Sequence, residues 1–280
     1  MQKDQLGLAC WGLRELPLEE QLALTRRLGV RSMEFSIANA PKDFPLTITD
    51  ADMAWIRKRY EQAQIPLTYV VTGNDFTQPD PAAVEADRLK VQRVIELCAA
   101  LGAKTLRIFA GFSPAEAVVG ERFARMAEAI TAMAGVAEQN RITLALELHG
   151  GVTRSGAGMK YIHSVTTRMD RLEELLARVP QSVALLLDPA NLWAVGVTDP
   201  LPYYQKFRDR IAYIHVKDFA TLPDGSLRPA ACGASALDWR GFMHAARDYR
   251  GALMVEYENP EDVEQGMRTC LTFLQTLLAE

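Results

Sequence analysis

The feature that most constrains this chain is an alternation of two hydrophobic periods, repeated eight times along its length. Short β-rich runs bounded by turn residues predict strands over Leu6–Trp11, Arg31–Ile37, Pro66–Thr72, Thr105–Phe109, Thr143–Leu148, Val183–Asp188, Ala212–Val216 and Ala252–Tyr257. Helical spacing predicts helices over Pro17–Leu28, Thr49–Gln62, Pro81–Leu101, Gly120–Gln139, Met169–Val179, Asp199–Arg210, Asp238–Tyr249 and Asp262–Leu278. Gly29 and Gly102 stand where helices stop, and Thr49 opens a T-D-A-D start with acids at the positive helix end. Runs such as VALLL and LMV are apolar at consecutive positions, as in parallel strands buried on both faces. Eight βα units of about 35 residues each match an α/β fold of one kind, a single (β/α)8 TIM barrel over residues 1–280. A doubly wound sheet is the alternative. It needs a glycine-rich phosphate turn after its first strand, and Cys-Trp-Gly-Leu-Arg offers none.

Composition narrows the partners. Lys and Arg total 31 against 35 acids, a net charge of −4, which argues against a nucleic-acid footprint. No uncharged apolar run approaches the ~18 residues of a membrane span. The start, MQKDQLGLACWG, mixes charges into a short apolar stretch, unlike a secretory signal. Cys10, Cys98, Cys232 and Cys270 are scattered and read as reduced packing thiols of a cytoplasmic protein. The expected partner is a small molecule, and a homo-oligomer is compatible with the sequence.

Two connections are long for a barrel: Gly150–Thr167 after the fifth strand and Phe219–Leu237 after the seventh. Both follow strand C-terminal ends, where barrel enzymes keep their chemistry. The glycines of the first predict a mobile lid over that face.

Strands five to eight end in LELH, LLDPAN, IHVKD and VEYE. A carboxylate or imidazole after an apolar β-run is costly to bury unless paired or metal-bound. Glu147, Asp188, His215 and Glu256 therefore converge, by expectation, on one divalent ion at the barrel mouth. Three carboxylates and one imidazole suit Mn²⁺ or Mg²⁺ before Zn²⁺ or Co²⁺.

The segments LALELHG, LLLDPANL, YIHVKD, G-x-S-x-LDW and LMVEYENPEDVEQG resemble the sugar phosphate isomerase/epimerase group of xylose-isomerase-like TIM barrels. VIELCAALGAKTLRI extends the likeness more weakly into the first half. The resemblance implies that the same four residues hold the metal and that Glu147 and Glu256 double as the acid/base pair. Two positions depart from the ketohexose 3-epimerase pattern: Asn191 stands where a histidine is common, and Thr221 where an arginine is common.

His149, Asn191, Lys217, Trp11, Glu34 and Arg107 are the candidates for substrate contact. His149 lies on the same side of its strand as Glu147; Lys217 and Asp218 are expected at the mouth, where Lys217 can polarise an enediolate or form a plain salt bridge. Glu34 and Arg107 can bind hydroxyls or pair inside the barrel, and Trp11 and Trp193 can stack on a sugar face or pack. Glu258 reads as a supporting carboxylate, and His163 and His244 as structural. A metal-stabilised enediolate with two glutamates gives a keto-sugar isomerase or epimerase. The same ligands serve a lyase acting on a keto-inositol or 3-keto-glycoside. A metal-dependent abasic-site endonuclease needs more than the four histidines here and a basic groove. A non-catalytic sugar-binding barrel has no use for two glutamates on a metal. The acids of ENPEDVEQG would repel phosphate, so the expected substrate is unphosphorylated.

Overall fold

The computed structural model describes residues 3–279. The chain forms β1 (Leu6–Leu8), β2 (Glu34–Ser36), β3 (Tyr69–Val71), β4 (Thr105–Ile108) and β5 (Thr143–Glu147). Then come β6 (Gly151–Ser155), β7 (Gly158–Ile162), β8 (Ala184–Leu187), β9 (Ile211–Val216), β10 (Asp218–Thr221), β11 (Leu227–Ala230) and β12 (Ala252–Val255). Eight of these run in the order β1-β12-β9-β8-β5-β4-β3-β2, with every neighbouring pair parallel. A parallel bridge from Leu8 to Met33 joins the two ends, so the sheet closes as a (β/α)8 barrel.

Helices α1 (Leu18–Arg27), α2 (Asp50–Ala63), α3 (Pro81–Leu101), α4 (Gly120–Gln139) and α5 (Met169–Leu176) surround the first half. Leu and Val side chains on their inner faces pack with the outward side chains of the strands in one large core. Thr49 caps α2 reciprocally: its hydroxyl accepts from the Asp52 N–H, and the Asp52 carboxylate accepts the Thr49 N–H. Gly102 ends α3 in the left-handed region at φ +81°.

The helix expected over Asp199–Arg210 is present as α7 (Leu201–Phe207) with a 3-10 turn over Arg208–Arg210, and the structure adds one the sequence did not predict, α6 (Pro189–Ala194). Asp188-Pro189 is the reason. The Asp188 carboxylate accepts the Asn191 N–H, and proline fits the first helical position. A helix therefore starts at the strand end itself, and Gly196, at φ +99°, follows its stop. Two further helices, α8 (Trp239–Ala245) and α9 (Val263–Leu277), complete the ring.

The two long connections are not open loops. Most of each folds into a hairpin, and together they form a second sheet in the order β10-β11-β7-β6. Ser155 pairs with Gly158 across Gly156-Ala157, and Gly156 has φ +58°, the arrangement of a type II′ turn. The segment expected as a glycine-rich lid over Gly150–Thr167 is thus a paired hairpin: β6 and β7 carry strand pairing along their length, and Leu227 of β11 pairs with Met159 of β7.

Closure of the barrel leaves no room where the first unit meets the last. A Cβ on Gly12, in the turn after β1, would sit 1.9 Å from the Tyr257 carbonyl oxygen beyond β12. Gly12→Ala should therefore lower the melting temperature by roughly 5–10 °C, since overpacking costs a few kcal/mol. Thermal denaturation checks this; an unchanged transition would show that the two segments separate freely.

Candidate metal centre and active-site cavity

Strand periodicity lifts four ligand-type side chains onto one level. Ala145, Leu186, Tyr213 and Met254 pack together inside the barrel. Glu147, Asp188, His215 and Glu256 each follow two residues later in the same strand or its extension, on the same side and one layer higher. One ligand atom from each lies within 4.8 Å of all the others, and all four residues are buried. His215 Nδ1 is 3.5 Å from Glu256 Oε2, 3.8 Å from Glu147 Oε1 and 3.9 Å from Asp188 Oδ2.

The imidazole is held from behind. Its Nε2 lies 2.9 Å from Glu34 Oε1, which also accepts the Tyr213 hydroxyl at 2.8 Å. The Cys10 N–H donates to the other Glu34 oxygen at 3.1 Å. Glu34 thus fixes the ring so that Nδ1 faces the three carboxylates. Burial alone would lower the His215 pKa, but the Glu34 and Glu256 carboxylates outweigh it and hold it well above its ordinary value.

Lys217 and Arg107 supply the remaining positive charge. Lys217 Nζ is 2.7 Å from Glu256 Oε2, 2.7 Å from Glu258 Oε1 and 3.2 Å from Asp188 Oδ2. Arg107 Nε is 3.1 Å from Glu147 Oε2, and its Nη1 donates to the Thr72 carbonyl. Burial raises the Glu147 and Asp188 carboxyl pKa values, and their cationic neighbours offset only part of that. Glu256 is buried too, yet Lys217 and His215 pull its carboxyl well below the usual range.

Among the four ligand candidates, Asp188 Oδ2 and His215 Nδ1 are buried and make no hydrogen bond, although the Lys217 ammonium stands 3.2 Å from Asp188 Oδ2. Buried polar atoms without such partners need a reason. Three carboxylates and one imidazole nitrogen are a hard-to-borderline donor set, and a divalent cation would both satisfy these atoms and replace the histidine proton. The four residues fit a metal ion.

Above the cluster opens a cavity of about 440 Å³. Of the four ligand candidates, only Glu147 and Glu256 line it; Asp188 and His215 lie outside its wall. Trp11, His149, Lys217 and Arg107 line it as well. The His149 Nδ1 hydrogen-bonds to the Gly150 carbonyl at 2.6 Å, and burial with the nearby Lys217 charge lowers its pKa to about 4. Its ring is neutral near pH 7 and stands edge-on to Phe109 and Phe112.

Other candidates stand elsewhere. Glu34 is wholly buried behind His215 and does not line the cavity. Asn191, also off the cavity, donates from Nδ2 to Glu147 Oε1 at 3.2 Å, so it meets the glutamate rather than the cavity space. Asp218 accepts N–H groups from Phe219 and Gly233. Trp193 packs against the core, and His163 Nδ1 meets the Thr167 hydroxyl.

Sequence reasoning did not single out Arg14, Asn39, Phe112, Val152, Met159, Tyr161 and Pro229, all in the cavity wall. The usable signal was the alternation in GMKYI, where Met159 and Tyr161 face the cavity and Lys160 is exposed. The other wall residues come from segments whose position only the closed barrel defines.

A family model described as "Xylose isomerase-like TIM barrel" matches residues 22–277. The chain belongs to this family. Among solved structures, the IOLI protein with a binding zinc atom superposes with a TM-score of 0.78 at 18% identity, covering 98% of each chain. The probable 3-DHS dehydratase AsbF of Bacillus anthracis gives 0.77 at 14%, covering 96% of this chain and 98% of that one. An L-ribulose 3-epimerase gives 0.76 at 16%, with 98% and 94% covered. At these identities the likeness is one of fold. No curated protein matches the sequence. Among the described residues, no helix is long and apolar enough to cross a membrane.

Support from behind the ligands makes a direct prediction. Partners that orient a ligating histidine typically contribute ~10–100-fold to metal affinity. Glu34→Gln should weaken Mn²⁺ binding by that factor in a calorimetric titration while the protein stays folded. Unchanged affinity would mean that His215 is not a ligand oriented by Glu34.

Proposed function

We propose that the protein is a divalent-metal-dependent isomerase or epimerase of keto-sugars. Glu147, Asp188, His215 and Glu256 hold the ion, and Glu147 and Glu256 move the proton. The observation that carries this reading is the division within the cluster: all four members share one level, yet only the two glutamates face the cavity. A divalent ion held by these residues would supply Lewis acidity to an α-hydroxy carbonyl and so acidify the C–H of its hydroxyl-bearing carbon.

The side chains supply the rest. A glutamate with a free oxygen lobe toward the cavity can take that proton, and the second glutamate can return one to another face or to the adjacent carbon. Arg107 and Asn191 fix the Glu147 carboxylate from two directions, and Lys217 fixes Glu256. Neutral His149 leaves Nε2 available for a substrate hydroxyl, and Trp11 offers an aromatic surface to an apolar sugar face. The fold neighbours support the class in their own names, an L-ribulose 3-epimerase among them.

A lyase reading would use the same residues of this chain, and one fold neighbour is named as a probable 3-DHS dehydratase. The two differ in product. A panel of unphosphorylated keto-sugars, incubated in D₂O with and without Mn²⁺ and followed by NMR, separates them: reversible deuterium entry with interconversion for an isomerase or epimerase, a dehydrated product for a lyase.

Glu147→Gln and Glu256→Gln keep volume and one oxygen while removing the base. Each should lower kcat by ~10²–10⁴-fold with a smaller effect on KM, metal content being measured in the same samples. Full turnover in metal-replete variants would overturn the two-glutamate mechanism.

A further inference from the structure

The cavity is larger and more apolar than a sugar alone requires. At about 30 Å³ per water in the liquid, 440 Å³ has room for about 15 waters. A free hexose brings about a dozen heavy atoms, and covalent bonds pack them closer than separate waters at that ~30 Å³ each. Space is left over.

The lining is also divided by origin. Its charged groups near the metal level, Arg107, Glu147, Lys217 and Glu256, come from the barrel strands and their ends. The rest of the wall holds Arg14, Asn39 and Glu258 on one hand and a run of apolar and aromatic side chains on the other: Phe109 and Phe112 follow β4, and Val152, Met159 and Tyr161 belong to the β6–β7 hairpin. The two phenylalanine rings lie 4.7 Å apart, and Tyr161 packs 5.1 Å from Phe219, which steadies the hairpin end of this wall. Val152 lines the cavity yet is 39% exposed, an apolar side chain left at the rim. Stacking on a sugar face needs one aromatic platform, which Trp11 provides. Five further apolar or aromatic side chains from two separate segments exceed that need, and such a surface running to the rim marks a ligand group that covers it.

We propose that the substrate is a keto-sugar bearing an apolar substituent of about aromatic-ring size, seated on Phe112, Val152, Met159 and Tyr161. This rests on the reading of the site as a sugar site and names the substrate class it takes. The sugar ring lies over Glu147 and Glu256, and the substituent runs outward along the hairpin.

The test is a binding measurement that needs no turnover. Methyl and phenyl β-D-glucoside are titrated calorimetrically into the Mn²⁺-loaded protein. Burying a phenyl ring is worth at least about tenfold in affinity, so the phenyl glucoside should bind tighter by that factor. Phe112→Ala and Met159→Ala should bring the ratio close to one while leaving the methyl glucoside affinity within about twofold. Melting curves confirm folding, and Val152→Ser, at an exposed position, serves where a truncation does not fold. Equal affinities for the two glucosides, or no binding of either, overturn the proposal. A phenyl preference without proton exchange on any keto-sugar overturns the isomerase reading instead and leaves the apolar subsite standing.

Discussion

Five carboxylates crowd the mouth of this barrel: Glu34, Glu147, Asp188, Glu256 and Glu258. Two like charges at about 4 Å repel by about 4 kcal/mol even at an effective dielectric constant of 20, so the group cannot stand alone. Arg107, Lys217 and His215 are buried beside them, and each meets a different subset. Arg107 answers Glu147, His215 lies between Glu34 and the other three ligand candidates, and Lys217 ties Asp188, Glu256 and Glu258. Removing one partner of such a pair leaves an uncompensated buried charge, which typically costs ~3–5 kcal/mol. Cavity shape and the orientation of the two cavity-facing glutamates both depend on that balance of charge.

Much of this was legible before any coordinates, because the information lies in a period. An inward-facing strand position repeats every two residues, so Glu147, Asp188, His215 and Glu256 had to share a side with Ala145, Leu186, Tyr213 and Met254. Parallel strands buried on both faces announce themselves by continuous apolar runs, which is why the barrel was readable from VALLL and LMV.

What stayed hidden depends on distance in sequence. Glu34 and His215 are separated by 181 positions, and nothing near either says that one holds the other. Asn191 reads equally well as a substrate ligand and as a partner of Glu147, since both lie within a side chain's reach of the strand end. The second sheet escaped because Gly150, Gly151, Gly156 and Gly158 suggest freedom. Yet Gly156 is needed for a tight turn, and a Cβ on Gly151 would sit 2.3 Å from the Phe112 carbonyl. Two of those glycines therefore mark tight turning and close approach, not looseness.

The second sheet has a bearing on how such a protein changes over generations. Its β6–β7 hairpin is separate from the eight barrel strands, and the wall that Met159 and Tyr161 build belongs to none of them. Replacing side chains along that hairpin alters the shape presented to a ligand while the charged floor beneath keeps its neighbours. The apolar wall and the charged floor thus lie on separate stretches of chain, and side chains on one can drift without disturbing the other.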